Sequence, residues 1–393
     1  MRSILGSLSE QQFLDEYWQQ KPLLIRGALP GFKSPITPDE LAALACQAEV
    51  DSRLVIEKDF ESPWQVLYGP LDPSVFPTLP ETHWTLLVTD VEKHLQEMAA
   101  ITDRFRFIPD WRIDDLMVSY APKGGSVGPH WDTYDVFLLQ CLGHRRWQIS
   151  ELDLSEDNYL DGIDLRIMKR FTAQQDWILE PGDMLYLPPH IAHHGVAQDE
   201  CMTFSVGFRA PPIRDMLTDF SDYCSEGLTD SDRYNDPGLS LQNNPGEISG
   251  DAITNIQALL LKQLERPSAE FSKWFGSYTT TPTTELSVPP EQPVANHEEW
   301  RIRYSQAGGI GRSTTSRFAY IRANNEEIAV AASAWLFVDG DRYSVSLRFA
   351  EWLCGDRRLS VLPESLSLST DEHDILIALI NLGSLYFYDT NTN

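Results

Sequence analysis

The stretch from Gly128 to Gln140, reading GPHWDTYDVFLLQ, constrains this chain more than any other. Its second half, Asp135 to Gln140, is aromatic, branched and apolar, a composition that favours an extended strand over a helix. In a strand alternate side chains share a face. An extended backbone through the first half would therefore point the His130 imidazole and the Asp132 carboxylate the same way, with Tyr134 continuing the row. That supplies two legs of a metal site. Gly124, Gly125, Ser126 and Gly128 put little side-chain bulk just before His130, as is needed where a ligand must approach the backbone closely.

A third ligand is expected from Glu180 to Gly195. There a turn at Pro181-Gly182-Asp183 feeds the short apolar strand Met184 to Leu187, and His190, His193 and His194 lie just past its end. Two histidines and one carboxylate on one face of a metal leave open positions and suit non-haem Fe(II) oxygenases. Spacing alone leaves open which of the three histidines takes part. Arg145 follows in the segment Gly143 to Ile149, where a Gly143 turn between two strands would return the chain antiparallel and let the arginine face the same cavity as His130. A guanidinium buried there is costly unless it meets an anion, and the distal carboxylate of a dicarboxylate would meet it through bidentate hydrogen bonds.

These residues resemble the JmjC-type 2-oxoglutarate oxygenases of the cupin fold. Within that group the chain resembles most the bacterial ribosomal oxygenases, which hydroxylate an arginine side chain of the sixteenth large-subunit ribosomal protein. The resemblance runs through Phe13 to Ala28, Gly128 to Gln140, Gly143 to Trp147 and Pro181 to Gly195, and less specifically through Leu376 to Tyr388. It implies that His130, Asp132 and His193 are the catalytic metal ligands for Fe(II), and that Arg145 holds the far end of 2-oxoglutarate. It also implies that Ser119, on the preceding strand, hydrogen-bonds that cosubstrate, and that dioxygen is the other cosubstrate. The family pattern selects His193 because it places the ligand four residues after the second proline, here Pro189, and two before Gly195. His190 stands where small residues are common in that pattern, so it departs from it, near substrate or in competition for the metal. His194 should point away from the metal if the backbone is extended there, and His144 should face away from Arg145. Two other readings stay open. One is a cupin metalloenzyme that does not use 2-oxoglutarate; the other is a non-catalytic ribosome-associated or regulatory binding protein. Demethylation is a variant inside the oxygenase class.

A net charge of −27 argues against a general grip on nucleic acid, which needs a basic surface, and is compatible with attraction of a Lys- and Arg-rich protein partner. Five cysteines without CxxC spacing fit reduced thiols better than disulfides or a zinc knuckle. No apolar run approaches a membrane span and no signal pattern opens the chain, so the cytoplasm is the expected compartment.

Taken in order, residues 9 to 20 read as an aromatic amphipathic helix ended by Lys21-Pro22, before a strand at Leu23 to Ile25. Thr37-Pro38-Asp39-Glu40 carries a capping-box signature. Strands are expected at Arg53 to Ile56, Trp64 to Tyr68, Trp84 to Val88, Leu116 to Ala121, Trp177 to Glu180 and Thr203 to Phe208, a helix at Asp90 to Ala100, and a loop over the barrel at Asp153 to Gly162. Many short strands separated by turns suit a mainly β chain with α elements, built on a double-stranded β-helix or jelly roll. The expected division is a JmjC/cupin catalytic domain over 1–210, a helical dimerisation module over 211–278, a Thr/Pro-rich linker over 279–295 and a winged-helix-like domain over 296–393. In the last, Ala329 to Val338 should be a strand turning at Asp339-Gly340, and Asp374 to Leu382 a helix followed by a strand at Leu385 to Tyr388.

Overall fold

The computed structural model describes residues 3–57, 64–152, 154–282, 286, 288–323, 334–359, 362 and 367–388. Its chain divides into two compact units, Met1–Ala210 and Pro211–Asn393.

The first unit opens with helix α1 (Glu10–Glu16), started by a reciprocal capping box between Ser9 and Gln12. Strand β1 (Leu23–Ile25) follows, then α2 (Pro38–Leu44), where the Thr37/Glu40 capping box forms as its sequence requires. Strands β2 (Ser52–Glu57), β3 (Trp64–Tyr68) and β4 (Trp84–Val88) come next. The helix expected from Asp90 to Ala100 is broken into α3 (Val91–His94), a single 3₁₀ turn and α4 (Ala99–Thr102). Polar anchors fix the first turn on its own: Lys93 closes back onto Asp90 at 2.6 Å, and the buried Glu92 carboxylate accepts the N–H of Leu116. Leu95 then lies in extended backbone.

The barrel strands are β5 (Ile113–Ala121), β6 (Val136–Leu142), β7 (Arg145–Ser150), β8 (Gln175–Leu179), β9 (Met184–Leu187), β10 (Ala192–Ala197) and β11 (Cys201–Phe208). They form an antiparallel sheet of order β1-β9-β6-β11-β5-β4-β2-β3 and a smaller one of order β10-β7-β8. This is the mainly β, double-stranded β-helix arrangement. The apolar run Val136 to Leu139 in β6 follows from both faces of the strand being covered. Phe137 and Leu139 join the large core that includes Phe13, Phe105 and Tyr186, while Val136 and Leu138 face Trp147, Ile149 and Ile191 from the smaller sheet. Phe13 of α1 is fully buried against Tyr186 and Phe137, with ring centroids 4.9 and 5.4 Å away, so the aromatic helix is core. Gly143 turns the chain in the left-handed region (φ 58°), but β6 and β7 do not pair. The corner instead carries the chain from one sheet to the other, squeezed against the β10–β11 corner, where a Cβ on Gly143 would lie 2.0 Å from Glu200 O.

In the second unit α5 (Ile213–Ser225) and α7 (Ser268–Thr280) share the small core of Phe220, Cys224 and Trp274, while α6 (Gly250–Leu264) buries no residue. Helix α7 runs on to Thr280, since Thr279 and Thr280 turn their hydroxyls back to carbonyls of the preceding turn and Gly276 sits directly on the Phe337 ring. A second core, around Trp300, Ile310, Leu336, Phe349 and Leu379, gathers the remaining elements. These are α8 (His297–Gln306), β12 (Gly309–Arg312), β13 (Phe318–Arg322), β14 (Ala334–Val338), β15 (Asp341–Val345), α9 (Leu347–Gly355), β16 (Arg358–Leu359), α10 (Thr370–Asn381) and β17 (Leu385–Tyr388). The strand expected at Ala329 to Val338 is seen from Ala334; positions 329–333 lie outside the described residues, as do 283 and 284 of the Thr/Pro stretch. Asp339 and Gly340 both take positive φ in the β14–β15 turn, and Gly383 (φ 81°) ends α10. Among the described residues no helix is long and apolar enough to cross a membrane.

Candidate metal centre

His130 and Asp132 are not strand residues; β6 begins only at Val136. What brings the site together is a two-residue bridge. His130 N–H donates to His193 O at 3.0 Å and His193 N–H donates back to His130 O at 2.7 Å, so a loop of one segment is stitched to β10. The imidazole centroids come to 4.3 Å. Asp132 is held to the same place because its carbonyl accepts the N–H of His190 at 2.8 Å, and its Oδ2 lies 3.6 Å from His193 Nε2. One ligand atom from each of His130, Asp132 and His193 lies within 4.8 Å of the others, and no further His, Cys, Asp or Glu joins them among the described residues. Gly128 (φ 78°) permits the approach, as a Cβ there would meet Ile167 at 2.7 Å.

The tautomers follow from the bonds. Nδ1 of His130 lies 3.0 Å from Gly128 O and Nδ1 of His193 lies 3.0 Å from Ile191 O. A carbonyl only accepts, so each Nδ1 carries the proton and each Nε2 keeps its lone pair, the arrangement a metal-binding imidazole needs. Neutral imidazole is enforced at His193, which burial, and next the neighbouring His130, drive down to about 4. A 2-His-1-carboxylate donor set of this kind, with an open cavity in front of it, fits a six-coordinate ion such as Fe(II).

The cavity has a volume of about 670 Å³ and is lined by all three residues together with Ser119 and Arg145. Arg145 is 3% exposed. Its Nη2 donates to Gly195 O at 3.2 Å and its guanidinium lies 5.2 Å from the centre of the Trp147 ring, but Nε and Nη1 have no hydrogen-bond partner among the described residues. Burial lowers its pKa, with Cys201 acting the other way. Gly195 makes room for this packing, since a Cβ there would fall 2.7 Å from Arg145 Nε and 2.6 Å from the Trp147 ring. Two orphaned donors on a buried cation are the mark of a missing anion. Ser119 Oγ donates to Thr203 O at 3.3 Å, at the cavity wall.

The other histidines sort cleanly. His190 is exposed, in the left-handed region (φ 64°), with its ring 5.0 Å from Trp131; it lies outside the ligand cluster. His194 faces Phe171 on the other side of β10, and His144 pairs with Asp199 at the surface. Sequence reasoning passed over Asp115, which lines the cavity from the same face of β5 as Met117 and Ser119; strand alternation was the signal that could have found it. It also passed over Trp147 and Gly195. The loop expected over the barrel from Asp153 to Gly162 does reach the cavity, through Tyr159 and Leu160, and Ile163 to Arg166 just beyond it line the same cavity; Asp153 lies outside the described residues.

Burial, followed by the charge of Arg145, also takes His194 down to about 4. Both folded values lie below the unfolded value of about 6.5, so between those limits the unfolded chain binds more protons, and stability present above pH 6.5 is lost as pH falls. Urea denaturation of the metal-free chain should lose about 2 kcal/mol per buried histidine between pH 6.5 and pH 4.5. His194→Gln should remove about half of that loss; a midpoint that is flat over the interval contradicts it.

Residues 100–216 match the JmjC domain family. The chain is 39% identical over 293 residues to the ribosomal protein uL16 3-hydroxylase of Escherichia coli (strain K12), an alignment covering 75% of this chain and 77% of that protein. The X-ray structure of E. coli YcfD superposes with a TM-score of 0.86 at 33% identity, covering 97% of this chain and 98% of that one. A structure of YcfD, a ribosomal oxygenase, in complex with cobalt and 2-oxoglutarate superposes at 0.80 with 32% identity, covering 97% and 98%. The chain thus belongs to the JmjC-type ribosomal oxygenases and is an oxidoreductase of that family.

Proposed function

We propose that this protein hydroxylates an arginine side chain of a large-subunit ribosomal protein, with uL16 the first to test. Fe(II) would be held by Nε2 of His130, Nε2 of His193 and the Asp132 carboxylate. The far carboxylate of 2-oxoglutarate would lie on the free Nε and Nη1 donors of Arg145, with Ser119 beside it. The observation that carries this reading is the unsatisfied Arg145 guanidinium, buried in the same cavity as the ligand cluster. When bound, iron, 2-oxoglutarate and dioxygen supply the oxidising power that turns C–H into C–OH, with succinate and carbon dioxide as the other products. The chain's own residues place and shield. The Nδ1–carbonyl bonds hold both imidazoles in register, Trp147 backs the guanidinium, and the loop carrying Tyr159 and Leu160 narrows the access of water. Arginine as the target is supported by Asp115, which lines the cavity and forms no ion pair with a described residue, and by the ring of Tyr134 in the same wall.

The four-part division at 210, 278 and 295 belongs to the same proposal, with a C-terminal winged-helix-like part used for protein contact rather than nucleic acid, and with action in the cytoplasm, where ribosomes are. Pairing of two subunits through the helical module is supported by α6, on which Ile253, Leu260 and Leu261 are 58%, 59% and 52% exposed. Sedimentation at micromolar concentration should give twice the mass of the chain, and Leu260→Glu should give one; a wild-type monomer contradicts the pairing.

The function is tested by incubating the purified chain with uL16, Fe(II) and 2-oxoglutarate and analysing the product by mass spectrometry. One added oxygen on one arginine is expected, with succinate formed in step. Asp132→Ala should abolish it. Arg145→Ala should raise the 2-oxoglutarate requirement roughly thirtyfold or more, about the cost of removing one partner of a buried charge pair. Full hydroxylation without 2-oxoglutarate contradicts the cosubstrate assignment. Succinate formation with no oxidised arginine contradicts the substrate.

A further inference from the structure

Strands β6 and β7 lie in different sheets, so no ladder of hydrogen bonds fixes Arg145, the first residue of β7, against the large sheet. Other contacts must do so. Arg145 stands opposite Ala197 of β10, and Ala197 packs on Cys201 at the start of β11. The corner that leads into the strand, Leu142-Gly143-His144, is secured from two sides. Towards the β10–β11 corner, His144 N–H donates to Asp199 Oδ1 at 2.6 Å and Gln198 N–H donates to His144 O at 2.9 Å. Towards the large sheet, it is tied by the side chain of Gln140.

Gln140 is fully buried in β6. Its Nε2 donates to Leu142 O at 2.7 Å and to Gly143 O at 3.3 Å, and its Oε1 accepts the Thr203 hydroxyl at 3.0 Å. The orientation of the amide is forced, because two carbonyls can only accept and so must face its nitrogen. Gln140, Thr203 and Ser119 are direct neighbours across β6, β11 and β5, and Ser119 Oγ donates to Thr203 O at 3.3 Å. Ser119 and Thr203 line the cavity, as Arg145 does, and Gln140 lies outside that lining. One amide thus joins the Ser119–Thr203 row to the corner from which Arg145 starts. With both N–H groups and the oxygen engaged, and a high cost for leaving any of them unmet in the interior, this bridge has one good geometry.

We propose that Gln140 is a positioning residue for 2-oxoglutarate: its amide sets the separation of the Arg145 guanidinium from the Ser119–Thr203 row, so that the far carboxylate finds the guanidinium already in place. The inference rests on the reading above, in which Arg145 takes that carboxylate. Without the amide the corner loses its tie to Thr203. The guanidinium, steadied otherwise by Gly195 O and the Trp147 ring, would then have to be drawn into position by the ligand, and that ordering weakens binding. The end of the ligand nearest the metal depends instead on the His130–His193 bridge, so only the distal carboxylate should sense Gln140.

The test is a binding measurement on the chain loaded with Mn(II) in place of Fe(II), so that no turnover occurs, followed by water proton relaxation as a keto acid displaces water from the metal. The probes are 2-oxoglutarate and 2-oxobutanoate, which has the same keto-acid end and no distal carboxylate. Gln140→Met fills the same space without a hydrogen bond. Gln140→Asn keeps the amide but is one methylene too short to bridge, and it carries the test if the first variant does not fold. Each should weaken 2-oxoglutarate binding about tenfold and leave 2-oxobutanoate within about twofold of wild type. In an Arg145→Ala background neither should change 2-oxoglutarate affinity by more than about twofold, since the effect acts through the guanidinium. Unchanged 2-oxoglutarate affinity in a folded variant, or equal weakening of both keto acids, overturns the role of Gln140 and leaves the Arg145 reading intact. If Arg145→Ala alone binds 2-oxoglutarate as tightly as wild type does, that reading fails, and this one with it.

Discussion

A pair of reciprocal backbone hydrogen bonds between His130 and His193 is the constraint on which the rest of this molecule depends. The two residues are far apart in sequence and belong to different structural settings, a loop and a strand of the smaller sheet. The side chains at such a bridge are brought close whatever they are, so the fold delivers the two imidazoles as neighbours before any metal arrives. Asp132 then needs only a short anchor, the His190 N–H, to complete the set. The left-handed backbone at His190 aims that N–H, which gives this residue a positional reason to exist without any role as a ligand. Behind the loop, Asp135 is fully buried and receives the Tyr186 hydroxyl at 2.6 Å and the Gln19 amide at 2.9 Å, which fastens the end of the ligand loop to the aromatic core around α1.

The electrostatics of the cavity are built as halves of pairs. On one side the buried Arg145 guanidinium has two donors with no partner among the described residues; on the other, the Asp115 carboxyl lines the cavity and forms no ion pair with a described residue. Each half is unfavourable on its own in a low-dielectric wall, and each becomes favourable when a ligand of opposite charge arrives in the right orientation. Under the proposed function, a keto acid with a distal carboxylate and a substrate with a terminal guanidinium would be the complementary halves. Each would then meet like charge at the other's station, which would keep the two from exchanging places.

Much of this was legible from local chemistry. The capping box at Thr37 to Glu40, the aromatic face of α1, the apolar run of β6 and the αL glycines at 143 and 383 follow from side-chain and backbone preferences that act over a few residues. Strand β10 was not legible, since Ala192, His193, His194, Gly195, Val196 and Ala197 neither alternate nor carry strong β propensity, and pairing with β7 alone makes them extended. The β6–β7 corner misled for the same reason: a turn glycine looks identical whether the strands it joins pair or part into two sheets. His130 and Asp132 came together as expected but through a loop rather than a shared strand face. Choosing His193 from three neighbouring histidines required the family pattern, and only the tertiary bridge gives the choice a physical cause.

The central claim is that a single iron is gripped by two imidazoles and one carboxylate with positions left open. X-ray absorption of the chain given one equivalent of Fe(II) without oxygen tests it most directly. The account predicts one tightly held, six-coordinate iron whose outer scattering fits two imidazole rings, with one ring lost in His130→Ala and one in His193→Ala. Iron that stays in solution, or a bound iron whose scattering is unchanged by either substitution, would contradict it.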